Sequence, residues 1–131
     1  MRRTVFAFGS RVLPGDSLAL DVCEKLRGRL KQFDFVECET LDELIALAAQ
    51  KNVRELIVLD VVQGLRGVRL IEDLAELADA SPSSLHDFDA GFFLRIAKES
   101  GVVERVLVVG LPPSLDVEKA AAEAGRVLAG L

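Results

Sequence analysis

Apolar residues fall along the chain in short blocks whose spacing switches repeatedly between that of a strand and that of a helix. Thr4 to Phe8 is a run rich in β-forming residues closed by Gly9–Ser10, which predicts a buried strand followed by a loop from Arg11 to Gly15. From Asp16 onward Leu18, Val22, Cys23, Leu26 and Leu30 recur at helical spacing, with Asp21, Glu24, Lys25, Arg27 and Arg29 on the other faces, so a first helix is predicted there. Val36 and Cys38 alternate with Glu37 and Glu39, as in a half-exposed strand near a sheet edge. Thr40 then offers an N-cap with Glu43 as its capping-box partner, and Leu41, Leu44, Ile45 and Ala48 form the apolar stripe of a second helix running towards Lys51.

Leu56 to Leu59 is a continuous aliphatic run ending in Asp60, the profile of a central parallel strand covered on both faces. Gln63 to Gly67 is turn-rich, and Val68 to Ile71 follows as a short additional strand. Ala80 to Ser84 has a loop composition that leads the chain to His86, after which Phe88, Phe92, Phe93, Ile96 and Ala97 mark a third helix with Gly101 as its C-cap. Val102 to Val109 is a last buried strand, Gly110 to Ser114 a turn, and Val117 to Leu128 a closing helix. Such alternation predicts a mostly parallel sheet with helices on both faces, joined by right-handed crossovers, in a single domain over residues 1–131. Ligands of open sheets bind outside the carboxyl ends of the strands, where strand order reverses. Asp16 follows the first strand and Asp60 ends the third, so both are expected on that rim.

Composition narrows the functional classes. The formal net charge is −5 and no Lys/Arg block exceeds a pair, which argues against nucleic acid as a partner. The longest apolar runs are far too short to span a bilayer, and the few apolar residues after Met1–Arg2–Arg3 do not make a signal sequence, so a cytoplasmic protein is expected. Cys23 and Cys38 occupy apolar positions of a helix and a strand, as buried reduced thiols do, with no CxxC pairing. The only side-chain amides are Gln32, Gln50, Asn52 and Gln63, a depletion found in heat-adapted proteins.

His86, the one histidine, enters a helix from a Ser/Pro loop, where capping or loop packing is the plain alternative to a chemical role. Asp60 and Asp16 have similar alternatives as caps, Asp16 for the first helix. Their shared placement on one predicted edge is what distinguishes them, since three caps need not converge. An imidazole beside two carboxylates is a ligand set for a borderline divalent cation such as nickel or zinc, with positions left open for substrate. A receiver-type phosphoacceptor design fails, because Gly9–Ser10 stands where an acidic pair is needed and Gly110–Leu111–Pro112 where a lysine is needed. Gly9 and Gly15 do not make a dinucleotide-binding GxGxxG, and neither cysteine is placed as a nucleophile.

These segments together resemble one family. Phe8 to Asp16 is similar to the glycine, polar residue, apolar pair and acid that open the hydrogenase maturation endopeptidases; Leu56 to Asp60 resembles their central strand with its terminal aspartate, Ser84–Leu85–His86 their loop histidine, and Val108 to Leu115 their last strand and turn. Order and separations agree over nearly the whole chain. The resemblance implies a three-layer α/β/α sandwich with a mostly parallel five-stranded sheet of order 2-1-3-5-4 and strand four antiparallel. It implies Asp16, Asp60 and His86 as ligands of nickel, with cadmium or zinc as surrogates, and Asp16 and Asp60 as the catalytic carboxylates. Its substrate would be the large-subunit precursor of a nickel–iron hydrogenase, cut at its C-terminal extension after nickel insertion, with the nickel arriving on the substrate and the enzyme monomeric. The chain departs from the family at Gly15, where a first acid is common, at Ala19, near an expected glycine, and at Glu39–Thr40, where an acidic glycine-rich loop is common. These departures bear on peptide cleavage more than on fold or ligands, and they leave a second reading: a binding protein that keeps the nickel site without cleaving, acting as a maturation checkpoint or chaperone.

Overall fold

The expected strands assemble into one sheet in the computed structural model, which describes residues 2–13, 15–73, 98–99, 101 and 103–131. In chain order the elements are β1 (Arg3–Phe8), α1 (Leu18–Arg27), β2 (Phe33–Cys38), α2 (Leu41–Gln50), β3 (Glu55–Val61), β4 (Arg69–Ile71), β5 (Arg105–Leu111) and α3 (Val117–Ala129). The sheet order is β2-β1-β3-β5-β4, with β4 antiparallel to β5 and every other pairing parallel. The helix expected from Phe88 to Ala97 lies outside the described residues. Its expected end is in place: Gly101 has φ +82° and its N–H donates to the Lys98 carbonyl at 3.2 Å, as a helix-terminating glycine does.

Period-two alternation in the central strands sorts the core into two layers. Val5, Ala7, Ile57, Leu59, Leu107 and Val109 pack under α1 and α3, against Cys23, Leu26, Ala120, Ala124 and Leu128. Phe6, Phe8, Leu56, Val58, Val106 and Val108 fill the opposite face, which α2 covers through Leu44 and Ala48. Helices therefore lie on both sides of the sheet, as the three-layer expectation required. A side chain at Gly125 of α3 would place its Cβ 3.3 Å from Leu26 Cδ2, so α1 and α3 approach closely there. Glu118 joins the two helices by accepting from Lys25 Nζ at 2.6 Å and Arg29 Nη2 at 3.2 Å. Those two cations hold its carboxyl below the usual range, the hydrogen bond from Lys25 contributing most.

Helix starts follow the local chemistry of the chain. Thr40 caps α2 by accepting from Glu43 N–H at 3.1 Å, and the Glu43 carboxylate reaches back to the Glu39 N–H at 3.0 Å, so the expected capping box forms with its return bond one residue earlier than the usual pattern. Asp116 caps α3 through the Lys119 N–H at 2.9 Å. The clearest departures from the sequence reading are in β2 and β5, and β5 starts at Arg105 where Val102 is expected. β2 begins at Phe33 rather than Val36, because Phe33 and Phe35 bury on the α1/α3 face while Cys38 buries on the other. β5 runs to Leu111 instead of ending before Gly110. Gly110 pairs with Asp60, and its missing side chain leaves room for Leu65, whose Cδ1 would lie 2.7 Å from a Cβ there.

β2 is one edge of the sheet, and the structure shows how that edge is closed. The Cys38 carbonyl accepts from Gly9 N–H on the β1 side, so by strand alternation the Phe33 and Phe35 carbonyls point away from β1. Each accepts from a guanidinium instead: Phe33 from Arg2 Nη2 at 3.0 Å and Phe35 from Arg27 Nη2 at 3.2 Å. Charged side chains thus occupy the acceptors to which another chain would add a strand. Among the described residues no helix is long and apolar enough to cross a membrane.

Candidate functional site

The strand order reverses between β1 and β3. From β1 the chain crosses to β2 on one side, while β3 leads towards β5 and β4 on the other, so the carboxyl ends of β1 and β3 flank the crevice in which open α/β sheets bind ligands. Asp60 is the penultimate residue of β3 and Asp16 lies on the loop that leaves β1, so both predicted carboxylates stand at this crevice.

Asp60 is 5% exposed, and with Thr4 it makes up the buried polar residues among those described. Its Oδ1 accepts from the Val61 N–H at 2.8 Å. A carboxylate withdrawn from water this far is costly unless hydrogen bonds, cations or a metal compensate it, which makes the end of β3 the chemically exceptional position of an otherwise aliphatic sheet. Gly110 lies beside it in register on β5, and Val62, Leu65 and Ile71 pack over that glycine.

Asp16 is half-buried and does not cap α1, contrary to the plain expectation for an acid preceding a helix. Ser17 holds the N-cap position without a side-chain cap bond, and its hydroxyl donates to Asp21 Oδ2 at 3.2 Å. The Asp16 carboxylate is thereby left for another use, and the backbone around it is tightly fixed. Its carbonyl accepts from Ser10 N–H at 2.8 Å and its N–H donates to the Leu13 carbonyl at 3.2 Å. Gly9 makes this possible, since a Cβ at that position would come within 2.5 Å of the Asp16 carbonyl oxygen. The close approach that glycine permits here is between two stretches of this chain's own backbone.

Arg11 anchors the same loop from outside. Its guanidinium meets Asp21 at 3.1 Å, Glu24 at 2.8 Å and Glu37 at 2.9 Å, tying the loop to α1 and to the end of β2. Hydrogen bonding to Glu37 leads the effects that raise its pKa further above the ordinary arginine value. Composition and motif spacing did not single out Arg11; its three-residue distance from the end of β1 gives no signal without the fold.

His86, the third predicted ligand, lies outside the described residues. Among the described residues no three His, Cys, Asp or Glu side chains cluster to hold a metal ion, so a ligand set built on Asp16 and Asp60 needs a further donor. The cysteines supply none. Cys23 and Cys38 are fully buried free thiols, and burial is the largest cause pushing them up to about 11 and about 12 from 9.0.

A mixed α/β sheet of this order with carboxylates at its switch point defines a class of architecture, and solved structures place the chain within it more narrowly. The solution structure of the endopeptidase HycI from Escherichia coli is similar with a TM-score of 0.75 and 17% identity, covering 99% of this chain and 90% of that one. The hydrogenase maturating endopeptidase HybD from E. coli gives 0.72 and 21%, covering 100% and 92%. The [NiFe] hydrogenase maturation protease HycI from Thermococcus kodakarensis KOD1 gives 0.63 and 20%, covering 95% and 86%. The chain therefore has the fold that these hydrogenase maturation endopeptidases share. No protein-family model matches the sequence, and no curated protein matches it.

Proposed function

We propose that this protein is a nickel-dependent endopeptidase that removes the C-terminal extension of a nickel–iron hydrogenase large-subunit precursor after nickel insertion. The observation that carries the reading is the buried Asp60 carboxylate at the switch point of this fold, beside a loop whose backbone is fixed around an uncapping Asp16. Asp16, Asp60 and His86 would hold the substrate's nickel, which supplies a fixed positive charge that marks a mature substrate. Two carboxylates and an imidazole suit that borderline cation, and zinc or cadmium would serve as surrogates.

Holding the nickel orients the neighbouring peptide bond, which is the first contribution these residues make to cleavage. Asp60, buried and hydrogen-bonded to its own strand, suits the fixed ligand role. Asp16, the more exposed of the two, suits proton transfer from water to the leaving amine. A second reading, a checkpoint that binds without cutting, is favoured by one feature: Gly15, at φ +77° with open space around it, leaves Asp16 as the single carboxylate of the loop.

Incubation with a nickel-loaded large-subunit precursor, followed by intact mass, tests both. Loss of the extension's mass, abolished in Asp60→Asn and in His86→Ala, supports the endopeptidase. Stable binding with no mass change supports the checkpoint instead. Nickel titration of the protein alone should show about one site, weakened roughly tenfold or more by His86→Ala; unchanged affinity in that variant removes His86 from the site.

A further inference from the structure

Among the described residues the large hydrophobic side chains left exposed are two neighbours, Val12 at 83% and Leu13 at 59%. Single exposed aliphatics are ordinary; an adjacent pair at the tip of a fastened loop is not. The loop is held by several independent contacts. Ser10 Oγ accepts from the N–H groups of Val12 at 3.1 Å and Leu13 at 3.4 Å, folding the chain into a tight turn. On one side of the pair Arg11 is gripped by three carboxylates, and on the other the Leu13 carbonyl accepts from Asp16 N–H. The pair is thus presented in a fixed position, with the ordering cost of binding largely met before a partner arrives.

We propose that Val12 and Leu13 are the apolar anchor by which this protein grips its polypeptide substrate, seating in an apolar recess bordered by Lys and Arg side chains. The identity of that partner rests on the proposed function. Two observations specify it. Leu13 is bonded through its backbone to Asp16, which keeps the exposed pair close to the crevice that Asp16 borders. The surrounding segments, residues 9–24 and 36–44, carry Asp16, Asp21, Glu24, Glu37, Glu39, Asp42 and Glu43 but only Arg11 as a cation, with Arg27 reaching Glu37 from beyond them, a field that complements a basic border and repels an acidic one.

The test compares wild type with Val12→Ser/Leu13→Ser and with Val12→Ile/Leu13→Met. Each is assayed for thermal stability, nickel affinity, and binding and cleavage of the nickel-loaded precursor. The serine pair should melt and bind nickel as wild type does while its Kd or KM for the precursor rises at least about tenfold, the loss expected when two aliphatic side chains no longer bury. Any kcat should stay within about twofold, and the Ile/Met pair should restore tight binding. Raising the salt concentration should weaken wild type and the serine pair by the same factor, since the acidic field is untouched. A serine pair that binds and processes the precursor as wild type does overturns the anchor while leaving the proposed function standing. A wild-type protein that neither binds nor shortens the precursor overturns both.

Discussion

Gly9→Ala is the most informative single substitution, because it adds one methyl group at the point where the loop carrying Asp16 folds back on β1. The new Cβ would lie 2.5 Å from the Asp16 carbonyl oxygen. Carbon–oxygen contacts settle at about 3.3 Å or more, so the two backbones must separate by roughly 0.8 Å. The obstacle is a main-chain atom and cannot rotate away. The Ser10 N–H bond to the same oxygen, now 2.8 Å, would stretch beyond hydrogen-bonding length. Losing that bond costs about 1 kcal/mol and forcing the extra carbon into a packed site about 1–3 kcal/mol, giving roughly 2–4 kcal/mol in all. For a domain of this size that lowers Tm by about 8–15 °C.

Gly15→Ala is the control: its positive φ makes alanine strained by roughly 1 kcal/mol, but nothing lies within 4 Å of the added carbon. Urea unfolding of both variants measures the difference, and nickel titration reads whether Asp16 has moved. Gly9→Ala should be the less stable by at least about 1 kcal/mol and should bind nickel more weakly than Gly15→Ala does. Equal stabilities, or a Gly9→Ala variant within about 0.5 kcal/mol of wild type, would refute the close approach as the determinant of this loop.

Two further predictions concern the frame around the site. Arg2→Ala/Arg27→Ala strips both guanidinium groups from the outward carbonyls of β2, and light scattering should show concentration-dependent association at a Tm close to wild type; a variant that stays as dispersed as wild type would mean the edge is closed by other means. The buried thiols set an alkaline limit. Unfolded cysteines release protons from about pH 9 while Cys23 and Cys38 keep theirs to about 11 and 12, so their contribution is complete below pH 9 and declines as pH rises through 9 to 12, by up to about 1.4 kcal/mol per pH unit for each thiol. Urea midpoints at pH 7, 9 and 10 should show this fall, with a shallower slope in Cys23→Ala/Cys38→Ala and no reaction of either thiol with iodoacetamide before unfolding.

Those positions whose physics is local were readable in the chain. The aliphatic run before Asp60, the Thr40–Glu43 box and the helical stripe of α1 each follow from neighbours within four residues, and each is present. What sequence spacing missed depends on residues far apart. Gly110 looks like the first residue of a turn until Leu65 is seen to fill the space beside it. Phe33 and Phe35 flank a charged Asp34 and fall outside the strand expected from Val36, yet they bury in the core layer that α1 and α3 cover. Asp16 has the sequence signature of an N-cap, and only the backbone bonds around it show Ser17 in that place. At the crevice, strand ends were legible from the pattern, whereas the fixing of the loop by Gly9 and Arg11 needed the fold.

That division bears on why the crevice is more than a topological habit of α/β sheets. A fold alone needs no buried carboxylate at the end of β3; an apolar residue would fill the position at no cost in desolvation, as its neighbours do. Nor does stability call for two aliphatic side chains in water, or for a guanidinium spent on holding their loop when exposed ion pairs contribute little. Each feature runs against the economy of the core, and all three lie within the turn that joins β1 to α1 or beside it on β3. Locally unfavourable choices concentrated at the one edge where such sheets bind ligands are what selection for function leaves in a structure. Buried Asp60 and exposed Leu13 are therefore best understood together: under the proposed function, one would face the charge of the substrate and the other its apolar surface.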